Sequence, residues 1–227
     1  MRWLAVLLAL AAPAPAQTIA DARYDDPTTR YAHGVLGDAV EWGALVLTTT
    51  DGRRLKFVLP QERVFEDLEP RLADLDGDGA PEVITVEAHQ NFGARLAIYG
   101  TQGLITANDW IGRRNRWLAP IGAADFDGNG TMDIAYVDRP HLAKTVRVFA
   151  YDGTLTEVGQ IAGYSNHRIG EDFISGGVRD CGQGPEMVVA RGNWSGIVAL
   201  RFDGSAFTET PLGADVSQAA FAQALAC

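Results

Sequence analysis

Short runs of alternating apolar and polar residues, closed by glycine-containing turns, recur along the chain. Ala44 to Thr50 stops at Asp51-Gly52 and is answered by Leu55 to Leu59. Arg95 to Gly100, Thr145 to Tyr151 before Asp152-Gly153, and Ile197 to Phe202 before Asp203-Gly204 follow the same scheme. Alternation with period two marks a strand with one buried face, and Asp-Gly between two such runs is a hairpin signal. A further apolar run precedes the last three of these hairpins, at Val83 to Val86, Ile134 to Val137 and Met187 to Ala190. The pattern predicts four units of about 50 residues, each of about four short strands, which is the signature of a propeller blade. The opening strand of the first unit is expected near Tyr31 to Gly37. Only Ala214 to Ala226 changes period, and it reads as a helix with Val216, Ala219, Ala220, Phe221 and Leu225 on its apolar side. The fold class expected is therefore all-β: a small β-propeller of about four blades, each with four antiparallel strands, and a short C-terminal helix.

The turns that open two of these units carry the chemistry. Asp74, Asp76, Asp78 and Glu82 stand at positions 1, 3, 5 and 9 of one nine-residue loop, and Asp125, Asp127, Asn129 and Asp133 hold the same positions in the other. Glycine occupies positions 4 and 6 of both, where the backbone must curl inward. Alternate oxygen-bearing side chains, with the position 7 carbonyls of Ala80 and Thr131, suit a hard cation that takes six to eight oxygens, so about two Ca²⁺ ions are expected. Mg²⁺ prefers stricter octahedral geometry and fewer protein ligands. An EF-hand would need flanking helices and a Glu at position 12, and strand residues follow here instead. Like charges packed this closely repel unless a cation neutralises them. With four carboxylates against three, the first loop is expected to bind more tightly. A third copy, Asp180 to Glu186, is two residues shorter and has Gly182 between its acids, so no metal is expected there.

The motif Asp-x-Asp-Gly-Asp-Gly-x-x-Glu/Asp before an apolar strand resembles the FG-GAP/VCBS repeat of integrin alpha-subunit-like β-propellers. The match is full at Asp74 and Asp125, partial at Asp180 and absent from the first unit. The resemblance implies structural metal loops joining the first and second strands of a blade, with ligands meeting the opposite face. Integrin-like propellers have seven blades, which this chain is too short to form; four blades, or a partial propeller completed by a second copy, are implied instead.

Before the first repeat, Arg2, an apolar run from Trp3 to Ala12 and Ala14-Pro15-Ala16 form the pattern of a secretory signal peptide over residues 1–16, leaving 17–227 as one domain. The apolar run is about half of what a bilayer requires, so no membrane span is expected. Export to a secreted or periplasmic location makes a disulfide between the two cysteines, Cys181 and Cys227, the simple expectation. The formal charge of −10 argues against nucleic acid as a partner, since phosphate backbones need a concentrated positive surface.

Common catalytic signatures such as H-E-x-x-H and G-x-S-x-G are missing from the chain. On the face away from the acidic loops, the resemblance would gather Arg30, Tyr31 and His33, then Arg113, Arg114, Arg116 and Trp117, then His167 and Arg168. Guanidinium forks pair with oxyanions and rings stack on apolar faces, so these residues are candidates for holding an anionic group. The blander alternative is packing between blades, with Arg116 and Arg168 satisfying carbonyls and Trp117 in the core. Widely spaced histidines make convergence depend wholly on the fold. The function expected is a non-enzymatic calcium-binding module that binds a protein or glycan; the alternative is a lyase or hydrolase acting on an acidic polysaccharide.

Overall fold

A computed structural model describes residues 18–227, so the expected signal peptide lies outside the described residues. The described residues are all-β apart from one short helix, and their strands form three antiparallel sheets. Four consecutive strand groups make up these sheets. The first holds β1 (Ile19–Thr28), β2 (Glu41–Thr49) and β3 (Arg54–Val58), with β2 between the other two. The second holds β4 (Arg63–Phe65) and β5 (Arg71–Ala73), which pair one after the other along β6 (Glu82–His89), followed by β7 (Gly93–Gly100) and β8 (Gly103–Ala107). A single bridge, Trp42 to Phe65, joins these two groups into an eight-stranded sheet. The third runs in simple order through β9 (Leu118–Ala124), β10 (Asp133–Asp138), β11 (Thr145–Tyr151) and β12 (Leu155–Ala162). In the fourth, β13 (Tyr164–Ser165) and β14 (Gly177–Asp180) share β15 (Pro185–Arg191), which is followed by β16 (Ile197–Phe202) and β17 (Phe207–Gly213).

The strand groups follow one another in the order of the sequence units, with a correction in the first. Its opening strand is β1, at Ile19–Thr28, and Tyr31 to Gly37 is a connection between strands. Gly34 and Gly37 have φ of +67° and +95°, a left-handed backbone that ends any extended run there. This unit consequently has three strands, not four.

Side chains from facing sheets interleave in three apolar layers. Leu45, Leu47 and Phe65 meet Val83 and Tyr99 between the first and second units. Ile84, Val86, Leu96 and Ile98 meet Trp117, Ile134 and Phe149 between the second and third, and Val137 and Val148 meet Met187, Val198 and Phe202 between the third and fourth. Central strands such as β10 are buried on both faces, which is why they read as continuous apolar runs. Removing one such side chain, as in Leu96→Ala, costs about 2–5 kcal/mol by the usual transfer and cavity effects.

The outward faces of the two end units differ. That of the fourth is covered by α1 (Gln218–Leu225), whose Phe221 packs on Val188, Ala190 and Ile197. Ser217 caps the helix by accepting from the Ala220 amide at 3.2 Å. Of the side chains expected on its apolar face, Ala219 is exposed and Ala224 takes its place. The outward face of the first unit is polar: Val46 lies opposite Arg23 and Lys56, and Lys56 bridges Asp26 at 2.7 Å and Asp25 at 3.2 Å.

Candidate functional site

Two ends of the same strands carry two different chemistries. At one end, the acidic turns link β5 to β6 and β9 to β10, each joining the first and second strands of its unit as expected. Gly77, Gly79, Gly128 and Gly130 have φ between +73° and +88°. A Cβ at any of the four would meet nothing within 4 Å, so backbone conformation alone requires glycine there. The curled backbone then aims its N–H groups at the carboxylates. Asp74 accepts from Gly77 and Gly79 at 2.8 and 3.0 Å, and Asp125 accepts from Asn129 and Gly130 at 3.0 and 2.9 Å. At position 9, Glu82 accepts from Leu75 N at 2.9 Å and Asp133 accepts from Phe126 N at 3.1 Å.

The ligand oxygens of Asp74, Asp76 and Asp78 lie within 4.8 Å of one another, as do those of Asp125, Asp127 and Asp133, and each set could hold a metal ion. Asp133 is wholly buried, and its second oxygen has no hydrogen-bond partner. Burial, followed by the neighbouring charges of Asp127 and Asp125, pushes its pKa up to about 6. An orphaned, destabilised carboxylate oxygen facing two others is what a bound cation would relieve. The residues present therefore fit the group the sequence implies.

The third turn closes differently. Glu186 at its end pairs with Arg179 at 2.9 Å and with Arg201 at 3.0 Å, so two guanidinium groups supply the positive charge. Asp180 accepts from Gly182 and Gly184, and Cys181 is disulfide-bonded to Cys227 as expected.

At the other end, the loops singled out in the sequence do converge. Gly93 makes room for one of them: a Cβ there would stand 2.3 Å from Arg113 O and 2.7 Å from Arg116 O. With that space open, Ala94 N donates to Arg116 O at 2.7 Å and the 113–117 loop lies against the β6–β7 turn. Asn115 N donates to the Tyr31 hydroxyl at 3.0 Å, and Trp117 Nε1 donates to Glu66 O at 2.8 Å, so three units meet. Trp117 is core, 2% exposed, yet its ring still lines one wall of a cavity of about 190 Å³ with His33, Arg116, His141, Leu142 and Ile169.

Three histidines gather here. His33 Nδ1 lies 2.5 Å from Oε1 of Glu66, whose side chain is fully buried. Burial, then the charge of Asp67, raises the Glu66 pKa well above the carboxylate range, while burial, then Arg116, lowers that of His33. His167 Nε2 lies 2.9 Å from Glu171 O, so it must donate there and accept at Nδ1 from His141 Nε2, also at 2.9 Å. Burial, helped by His167, brings the His141 pKa down to about 4. All three rings are thereby shifted toward the neutral form. Sequence reasoning named His33 and His167 in their loops but gave neither its partner, because Glu66 and His141 are brought to them only by the packing.

The expected arginine cluster divides. Arg30 donates to Arg63 O at 3.0 Å through Nε, the structural role, and Arg168 pairs with Glu171 at 3.1 Å while lying 3.8 Å from the centre of the Trp194 ring. Among the described residues, Arg113, Arg114 and Arg116 have no carboxylate partner; Arg116 Nη1 donates to its own loop at Asn115 O, 2.9 Å. A larger groove of about 450 Å³ beside Trp110 differs in this respect, since its Arg139 and Arg147 are both held by Asp138 and Arg147 also by Glu157.

Comparison with known families bears on the acidic turns. Residues 71–136, spanning both of the full turns, match the model of the FG-GAP-like repeat. Over these residues the chain is similar to an FG-GAP-like repeat. No curated protein and no solved structure matches the chain. The FG-GAP match covers the strands that place the acidic turns at one end and the Arg113 to Trp117 loop at the other. Among the described residues, no helix is long and apolar enough to cross a membrane.

Proposed function

We propose that this protein is an exported, calcium-binding FG-GAP repeat β-propeller of four blades that acts as a non-enzymatic binding module for a protein or glycan. In this reading the acidic turns at Asp74 and Asp125 hold Ca²⁺, with Ala80 and Thr131 lending their carbonyls, and the ions stiffen the blade ends. The partner meets the opposite strand ends, roughly 20 Å away along a six-residue strand such as β10. One observation carries the binding role: Arg113, Arg114 and Arg116 stand without carboxylate partners on an acidic chain, whereas the arginines elsewhere near the face are paired or donate to carbonyls. Unpaired guanidinium groups on a loop anchored by three backbone or indole hydrogen bonds offer an oriented site for an oxyanion.

The test uses the calcium-loaded protein as bait against the exported proteins and glycans of its source. Replacing Arg113 and Arg114 together by Ala is expected to abolish capture while leaving the melting temperature and its calcium response unchanged. Capture that survives the double replacement overturns the assignment of this face. A second reading, acid–base chemistry on an acidic polysaccharide, draws on the His33–Glu66 contact. It predicts release of uronate-containing products that His33→Ala abolishes; the binding reading predicts none.

A further inference from the structure

Resting on the reading of this face as the binding face, we propose that the cavity beside Trp117 receives the C-terminal carboxylate of a peptide whose last side chain is apolar. The cavity presents an anion site and an apolar site side by side. Arg116 supplies the first, because only one of its N–H groups is committed to Asn115 O and no carboxylate of the described residues reaches it. His33 adds a directed donor. Its Nδ1 is taken by Glu66, and burial opposes a net charge on that pair. A neutral pair has two arrangements, a protonated Glu66 donating to Nδ1 or an ionised Glu66 beside an imidazolium, and both leave the proton on Nε2. The ring therefore keeps an N–H at Nε2 in either case, and His33 is among the residues that line the cavity.

The second site is made by Pro140, Leu142 and Ile169 next to the buried Trp117. Leu142 is 61% exposed and Ile169 72%, and two large aliphatic side chains left in water at one cavity mouth mark a surface that another molecule covers. Size limits that molecule. At about 190 Å³ the cavity is smaller than sites that enclose drug-sized ligands, and suits the end of a chain rather than its middle. A terminal carboxylate stands one carbon from its own side chain, so anion and apolar group arrive together. An Asp or Glu side chain brings the anion without an adjacent apolar group, and a uronate surrounds it with hydroxyls that Leu142 and Ile169 cannot satisfy. Carboxylate capture by an Arg fork with a second N–H donor is a recurrent way of reading chain ends.

The probe is a short N-acetylated peptide ending in Gly-Leu, made with a free carboxylate and as the amide, and titrated calorimetrically into the intact, calcium-loaded protein. The free acid is expected to bind saturably and the amide at least about tenfold more weakly. Arg116→Ala should cost the free acid about tenfold and leave the amide unchanged, and Leu142→Ser should weaken the acid severalfold. Arg53→Ala, at an exposed ion pair on the β2–β3 turn, serves as the control and should change nothing. Equal binding of acid and amide, or no binding of the acid at millimolar concentration, overturns the proposal. Should Arg116→Ala fail to fold, the acid–amide comparison on the unaltered protein still decides. If the acid fails while partner capture remains sensitive to Arg113 and Arg114, this inference falls and the binding-module reading stands. A melting temperature indifferent to calcium would instead break the metal half of that reading, whatever the peptides do.

Discussion

The turn at Asp125 and the turn at Asp180 occupy the same place in successive strand groups, between β9 and β10 in one and between β14 and β15 in the other. Each closes on a carboxylate at the start of the following strand, Asp133 in one and Glu186 in the other. Asp133 is left with an unpartnered buried oxygen facing Asp125 and Asp127, whereas both oxygens of Glu186 are taken by Arg179 and Arg201. Two residues separate the designs in length, and in the shorter turn Cys181, disulfide-bonded to Cys227, directly follows the first acid. The lesson is that two turns in the same place can treat their closing carboxylate differently: two guanidinium groups, which cannot leave, supply the counter-charge of Glu186, whereas one oxygen of Asp133 is left without a partner.

Calcium removal should show the difference most strongly. An ion held only by the folded state contributes about 2.7 kcal/mol per site at a free concentration a hundred times Kd. The melting temperature in millimolar calcium is therefore expected to exceed that in excess chelator by many degrees, and Asp133→Ala should remove about half of that gap. Identical melting curves would mean that the acidic turns need no ion, and the contrast with Asp180 would vanish. Next in size is the covalent tie. Cys227→Ser should cost about 3 kcal/mol, by denaturant titration, through the freedom it returns to the unfolded chain. That loss should be the same with and without calcium; a loss confined to one condition would show the two turns to be coupled.

Glu186→Gln comes third. It strips the charge facing Arg179 and Arg201 and is expected to destabilise by about 2 kcal/mol, because these half-buried guanidinium groups lose their counter-charge. The calcium response should be untouched, and a reduced response would place an ion at the third turn after all. The smallest effect is expected for Asp180→Ala. Only two backbone N–H bonds to an exposed side chain are lost, so about 1 kcal/mol or less is at stake, measurable as a shift in denaturant midpoint.

Most of this architecture was legible in the sequence because it rests on local rules. Alternation and Asp-Gly turns located β2, β3, β11 and β16, and the 1, 3, 5, 9 spacing located the acidic turns within a residue. Cys181 and Cys227 could be paired by parity and compartment. What escaped was set by distant contacts. The left-handed glycines at 34 and 37 break what looks like a strand, and β1 lies earlier, where Asp25, Asp26 and Pro27 blur the alternation. The His33–Glu66 and His141–His167 contacts span 33 and 26 residues, and nothing in either loop specifies its partner. Arg179 and Arg201 looked like ordinary strand residues until the turn they neutralise was placed between them.

The disulfide has a consequence beyond the energy it contributes. It fastens Cys227, two residues beyond α1, to the turn that follows Asp180, and Phe221 of α1 packs over Val188, Ala190 and Ile197. Reduction would therefore do more than loosen a loop, because it would untether the lid of an apolar sheet face. A strand face of that kind invites other chains, so the reduced protein would be threatened by self-association while still largely folded. Clumping at a thiol concentration that leaves the blade spectra intact would be the visible sign, and it sets how the molecule must be handled outside an oxidising compartment.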